Sequence, residues 1–396
     1  FKQKTAYEIR LSLVGSEMCI RDRLERFNDP EHANRVTSAC GLGLYRDTLF
    51  GTEWSGNAFI CEPVHNLVHR EILSLENGVA TSRRSTGEAG TEFLASTDHW
   101  FRPAQARAGP DGGLYVVDMY RFLIEHPRWI PAARLAQIDV RAGTDRGRIY
   151  RVRPTAAPLR EVRDLTRLKP PELVAALDTT NGTERDRVHV ELLFRGEVAP
   201  EARHALEVLG REAGLPQVRL QALALLWGFG ALNVEGVAIA LRDPDARVRR
   251  HAVGLAESLL DDRKARDAEG LLAALLALVT DPSPLVRRQL AFTLGEIDNA
   301  RAGKALAALA EQGIDNPELR LAVLTSAATH AESVLRAVMA IDPARPGRAE
   351  WIPPLVATMA DDERDAGARS RALALILPPV GIEASAVQWT AFTGLI

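Results

Sequence analysis

One phrase occurs twice in this sequence and limits its fold more than any bulk property does. It reads Asp243-Pro244-Asp245-Ala246-Arg247-Val248-Arg249-Arg250-His251-Ala252 and, later, Asp281-Pro282-Ser283-Pro284-Leu285-Val286-Arg287-Arg288-Gln289-Leu290. Asp is a favoured N-cap, and Pro fits the first helical turn, where its missing N–H costs nothing. Apolar residues then recur at helical spacing, as in Val286, Leu290 and Leu294. The segment before the second copy has its own apolar stripe of Leu271, Leu272, Leu275, Leu276 and Val279. Two such helices in a hairpin leave apolar faces that only stacked neighbours can cover.

An aliphatic residue followed by a polar one marks each copy: Val188-His189, Val218-Arg219, Val248-Arg249, Val286-Arg287 and Leu319-Arg320, at spacings of 30, 30, 38 and 33 residues. Ala368-Arg369 would start a sixth. The repeated Asp-Pro-x-x-x-Val-Arg phrase resembles the HEAT repeat. Residues 170–396 are therefore expected to form an all-α, HEAT-like solenoid of five to six helical hairpins. Such a solenoid implies a surface for a protein partner. The pairs Arg249-Arg250 and Arg287-Arg288 could contact nucleic acid, or their first Arg could reach an Asp near a neighbouring hairpin's turn. Asp243, Asp245, Asp261, Asp262 and Asp281 are nearby in sequence, and the net charge is −3, so there is no global basic field. The ladder is expected, with no nucleic-acid partner.

Before about residue 155 the texture differs, with Gly, aromatics and short β-type runs. Strands are expected at 57–62, 67–73, 114–120 and 148–152, and a short helix at 131–137. Gly109-Pro110-Asp111-Gly112-Gly113 is a tight turn before the strongest of these strands. The stretch 155–169, entered through Arg153-Pro154-Thr155-Ala156-Ala157-Pro158, is expected to be a linker.

Three segments carry most local information. They are Glu62-Pro63-Val64-His65-Asn66-Leu67-Val68-His69-Arg70, Asp98-His99-Trp100-Phe101-Arg102-Pro103, and the run from Asp118-Met119-Tyr120-Arg121 through Glu125-His126-Pro127-Arg128-Trp129-Ile130-Pro131. Together they resemble the propeller of membrane-bound dehydrogenase-like proteins of planctomycetes and verrucomicrobia, relatives of the glucose/sorbosone dehydrogenases. That resemblance implies a multidomain β + α chain. Residues 24–154 would be a partial β-propeller of about two blades, followed by the HEAT solenoid and, in the family, a c-type haem domain. It implies a fragment of an extracytoplasmic, periplasmic or membrane-associated, sugar/polyol dehydrogenase whose site is incomplete here. Quinone, calcium and c-type haem would belong to the parent protein and not to this fragment. Two blades fall short of the roughly four to eight of a closed propeller, and the haem signature Cys-x-x-Cys-His is absent.

The candidate ligand-binding residues are Glu62, His65, Asn66, Arg102, Asp118, Tyr120, Arg121, Glu125 and His126. Histidine can act as a base near neutral pH, carboxylates can orient it or bind calcium, and arginine can hold an anionic group bidentately. The plainer alternative is that Asp118 and Arg121 tie neighbouring blades together and that Trp100, Tyr120 and Trp129 are packing. No metal site is expected: on a strand, His65 and His69 would be about 13 Å apart. No catalytic residue is assigned.

Residues 1–23 look like translated adapter sequence, and we expect an artefact or a disordered segment there. The first residue is Phe1 and the last Ile396, so both ends are expected to be cut. Setting Cys19 aside leaves Cys40 and Cys61, whose pairing as a disulfide or survival as two thiols the spacing leaves open. No apolar run approaches the roughly 18 residues of a membrane-spanning helix. Besides the dehydrogenase fragment, the alternative functions are a non-enzymatic module binding protein or glycan and a cytoplasmic HEAT scaffold of the bilin-lyase type.

Overall fold

The computed structural model describes residues 38–76, 79–124, 126–196, 199–260, 268–361, 365, 367–378 and 386–393. The artefact expected at 1–23 lies outside them. The chain divides into two compact units, Phe1–Phe194 and Arg195–Ile396.

Two antiparallel sheets build the first unit. The first runs β1 (Cys40–Leu44), β2 (Ala58–Glu62), β3 (Leu67–Glu76), β4 (Val79–Arg84), with the two-residue β5 (Leu94–Ala95) paired to the start of β3. The second is β6 (Pro103–Ala108), β7 (Leu114–Asp118), β8 (Arg148–Val152). Period-two alternation sets the register: on β7, Leu114, Val116 and Asp118 are buried while Tyr115 and Val117 are half-buried. Between the sheets, β1 lies against β6 at a distance only glycine permits. A Cβ on Gly43 would come within 1.9 Å of the Ala106 carbonyl oxygen, and one on Gly41 within 2.2 Å of that of Ala104. The shared core holds Tyr45, Phe59, Val68, Phe93, Phe101 and Leu114, with the Phe59 and Phe93 rings 4.7 Å apart. The short helix α1 (Ala132–Leu135) lies within the span expected for it.

The first unit also includes α2 (Pro170–Ala175) and most of α3 (Gly182–Arg195). The turn 109–113 explains how they are held. Asn181, at the start of α3, donates from Nδ2 to the carbonyls of Gly109 and Pro110, both at 3.0 Å, while its Oδ1 accepts from the N–H groups of Thr183 and Glu184. Tyr45 donates its hydroxyl to the Gly112 carbonyl at 2.8 Å. Within 155–169, Arg160 donates its backbone N–H to Asp111 at 2.9 Å and its guanidinium pairs with the fully buried Asp47. That stretch is therefore strapped across the sheets.

The second unit is all-helical. Helices pair as α4 (Pro200–Glu212) with α5 (Pro216–Gly228), α6 (Val234–Ala240) with α7 (Ala246–Leu260), and α10 (Ala300–Gln312) with α11 (Pro317–Thr325), while α8 (Ala268–Leu276) packs on α6 and α7 and reaches α9 (Pro284–Gly295) through the short 3-10 turn Ala277–Thr280. After α12 (Ala331–Ala340) the period lengthens, because α13 (Ile352–Ala360) is inserted before α14 (Ala368–Ile376); α15 (Ala386–Thr393) follows. The Val-Arg helices α5, α7, α9 and α11 pack side by side in succession. Their marker residues Val218, Val248, Val286 and Leu319 are buried, the last three within a core that continues to Leu335, Trp351 and Leu355.

The Asp of the repeated phrase differs from its expected N-cap role. The cap of α9 is Ser283, with Pro284 at its first position. Asp281 instead accepts the Ser283 N–H at 2.8 Å, and Asp243 likewise accepts that of Asp245 at 2.8 Å. Both carboxylates thereby shape the turn before the helix and keep lone pairs for an arginine of the preceding hairpin. Arg219 grips Asp243 with Nε and Nη2 at 2.7 and 2.8 Å, and Arg249 grips Asp281 at 2.8 and 2.9 Å. The ladder expected from the sequence is present in these two rungs.

Candidate functional site

Three backbone segments meet in the first unit and bring most of the candidate residues together. They are the turn 63–66 between β2 and β3, the approach to β6 at 99–102, and the exit from β7 at 118–122. Arg102 joins all three. Its Nη1 donates to the Pro63 carbonyl at 2.8 Å, its Nε to that of Arg121 at 3.0 Å, and its Nη2 to that of Phe122 at 3.0 Å. A guanidinium spent on main-chain carbonyls clamps loops and offers little to an anionic ligand.

Asp118 is equally engaged. Its Oδ1 accepts the N–H groups of Arg102 and Tyr120 at 2.8 and 2.9 Å, and its Oδ2 accepts Arg148 Nε at 2.9 Å. Arg148 also lies over the Tyr120 ring, 3.8 Å from its centroid. Asn66 donates to the carbonyls of Phe101 and His99. Arg121 donates to the Gly143 carbonyl at 2.6 Å. Two non-glycine residues here have left-handed backbones, Asn66 at φ 59° and Tyr120 at φ 50°. Such conformations cost about 1–3 kcal/mol and persist where neighbours over-determine them, as these hydrogen bonds do.

Glu62 and His65 form the remaining cluster. Both are buried, and His65 Nδ1 lies 3.4 Å from Glu62 Oε1, close but not aligned as a hydrogen bond. Burial pushes the Glu62 carboxyl upward, yet the adjacent imidazole and the backbone N–H groups of Ser38 and Val64 outweigh it and hold the group below its usual range. Neither ring nitrogen of His65 has a hydrogen-bond partner. His126 is elsewhere: it is exposed, and its Nδ1 accepts the Arg128 N–H at 3.3 Å as the cap of a short helix. Glu125 lies outside the described residues. Among the described residues no three His, Cys, Asp or Glu side chains are placed to hold a metal ion, and the Asp118 carboxylate is taken up by N–H donors, so the residues here do not fit the calcium that the family resemblance implies.

One cluster escaped sequence reasoning. His69 bridges two carboxylates, with Nδ1 2.7 Å from Glu92 and Nε2 2.7 Å from Glu71, and Arg84 pairs with Glu92 at 2.6 Å. The Glu92 hydrogen bond chiefly raises the His69 pKa above 6.5, against the effect of burial. The partners are 23, 2 and 15 residues from His69, so no local motif announces them. Strand pairing of β3 with β4 brings Arg84 opposite Glu71.

Residues 234–328 match the family described as HEAT repeats, which spans α6 to α11. Residues 5–156 match a family described as a domain of unknown function (DUF7133); the match begins inside the stretch 1–23 and ends where the strands of the first unit do. No curated protein matches the sequence. Among solved structures, the crystal structure of an engineered protein from the Northeast Structural Genomics Consortium is similar at 20% identity with a TM-score of 0.25, covering 59% of this chain and 98% of that one. No helix among the described residues is long and apolar enough to cross a membrane.

Proposed function

We propose that this chain is a protein-binding module that works through the outward face of its Val-Arg helices. One observation carries the proposal. Trp227 on α5, Phe292 on α9 and Leu321 on α11 are 55%, 42% and 62% exposed. At about 100° per residue, they point about 180°, 240° and 200° away from the buried Val218, Val286 and Leu319 of their own helices. They therefore share one sector of the side-by-side helices, with α7 between α5 and α9 presenting Arg250 in it. Arg250 and Arg288 occupy the same sector as Leu321, two residues after their own marker valines. A partner segment with apolar side chains flanked by carboxylates would complement this face.

The test compares the parent with the W227A/F292A/L321A variant as baits in the cells that make the protein. A specific partner held by the parent and reduced at least about tenfold by a variant of unchanged helical signal supports the proposal. Equal recovery of all partners by both would sink it.

A second reading follows from the Glu62–His65 pair. A buried imidazole beside a carboxylate, with neither ring nitrogen hydrogen-bonded among the described residues, is suited to accept a hydroxyl proton, a step that oxidation of a sugar or polyol needs. The partial propeller, its extracytoplasmic setting and the parent's quinone, calcium and haem belong to this reading. The chain extended at both ends should reduce an artificial electron acceptor with a sugar or polyol, and His65→Gln should abolish that turnover. Inactivity of the extended protein across a broad sugar and alcohol panel counts against it.

A further inference from the structure

Cys40 and Cys61 are directly opposed on the antiparallel strands β1 and β2. Directly opposed residues in such a pair have Cα atoms ~4.5–5.5 Å apart and side chains on one face of the sheet. That lies inside the roughly 4.4–6.8 Å that a disulfide spans. Both are thiols in this structure. Cys40 Sγ points to the neighbouring sheet, 3.6 Å from the Ala104 carbonyl oxygen and 3.9 Å from that of Pro103. Cys61 is fully buried in the core that Cys40 packs against. Burial pushes the Cys61 thiol up to about 12, with charge on Cys40 adding to the rise, and burial and the Glu62 carboxylate raise Cys40 as well, so exchange is expected to be slow near neutral pH. Next to Cys40, Gly41 is at φ 58°, and a Cβ there would come within 2.2 Å of the Ala104 carbonyl oxygen. The backbone there is fixed, so closing a bond to Cys61 calls for a rotamer change at Cys40 that turns Sγ from the Ala104 carbonyl toward β2.

We propose that Cys40 and Cys61 are a redox pair that closes to a cross-strand disulfide by exchange with a glutathione-type disulfide, R–S–S–R. Cys40 is the more accessible thiol. Its thiolate attacks one sulfur of R–S–S–R, that S–S bond breaks, and one R–S⁻ leaves to take up a proton. The Cys61 thiol then loses its proton and attacks Cys40 Sγ in the mixed disulfide, and the second R–S⁻ departs. In sum, two protein thiols give up two protons and two electrons, and R–S–S–R becomes two R–SH. The new bond closes a loop containing Tyr45 and Asp47, the residues that hold the Gly112 turn and Arg160. Oxidation therefore fastens the part of the first unit on which its sheets and straps converge.

The test uses the full chain carrying Cys19→Ser, which leaves two cysteines. The folded protein is equilibrated with oxidised glutathione, blocked with iodoacetamide and digested with trypsin. Cleavage at Arg46 separates the two cysteines, so the bond appears as a mass link between peptides 36–46 and 47–70 that dithiothreitol removes. We expect the free thiols to fall from two to none, the linked pair to appear, and the melting temperature to rise by several degrees and return with dithiothreitol. The same link must form in the chain that retains Cys19. Alkylation of both thiols after prolonged exposure would overturn the proposal, as would stable mixed disulfides at Cys40 that never resolve, or links formed only between molecules. Cys61→Ser in a folded chain should stop at the Cys40 mixed disulfide, which separates a failure of exchange from a failure of folding.

Discussion

At the residue scale, the arginine after the marker valine has two tasks in α5 and α7, and in α9 it keeps the first of them. Its Nη1 takes the carbonyl six residues back, as Arg219 does with Ala213, Arg249 with Asp243 and Arg287 with Asp281. Its remaining edge grips the Asp of the next hairpin. Where the next copy should supply that Asp to Arg287, five residues before Leu319, the chain has the buried Ile314, and Arg287 Nε is left buried without a partner. Removing one member of a buried pair strands the other charge. Asp281→Ala should therefore cost about 3 kcal/mol in urea denaturation, while Arg287→Met should cost less than about 1 kcal/mol. Equal losses would show that the rung contributes nothing beyond its packing. His69 provides a pH signature. Its folded pKa is raised above 6.5, so its contribution is fully present below that value and is lost as pH rises through the raised one. Glu92, held below 4.5 by His69 and Arg84 against burial, contributes above that value and fails as pH falls further. Stability of the parent should decline on the alkaline side of pH 6.5, and His69→Gln should flatten that slope in thermal melts at fixed ionic strength.

Elements were legible in proportion to how local their causes are. The strand at 148–152 and the strong strand after the Gly-Pro-Asp-Gly-Gly turn are where alternation and turn chemistry place them, and the five aliphatic–polar marker pairs all fall in helices. Other elements were less visible: no strand was expected at β1, β4, β5 or β6, and no helix at α13. The edge strand β1 reads Cys-Gly-Leu-Gly-Leu, and glycine weakens any strand signal; its glycines are there because β6 passes too close for side chains. Gly43→Val should therefore separate the two sheets and cost several kcal/mol, read as a lowered urea midpoint with near-ultraviolet circular dichroism reporting the Phe59 and Phe93 environment. A wild-type midpoint would refute the close approach. The inserted helix α13 was hidden because no Val-Arg pair marks it. Its anchor is Trp351, fully buried, whose Nε1 donates to the Ile314 carbonyl at 2.9 Å. Trp351→Ala should cost about 3–5 kcal/mol.

For the whole molecule, each unit has a core of its own. Residues 195–396 expressed alone should give a helical spectrum and a cooperative thermal transition, since a solenoid's stability comes from nearest-neighbour interfaces; a chain without a transition would contradict this. The sequence by itself determined the helical repeat, its Arg–Asp ladder and the change of texture near residue 155, because capping, periodicity and turn geometry act over a few residues. It also singled out the residues around 62–66, 102 and 118–121 that the first unit gathers. Only the tertiary structure decided what they do there. Arg102 and Asp118 are consumed by carbonyls and N–H groups of distant loops, His126 is elsewhere, Cys40 faces Cys61 across a strand pair, and α2 and α3 fold back onto the sheets through Asn181. Each of those outcomes depends on which buried polar group finds which partner, and the free energy of that choice belongs to segments far apart in the chain.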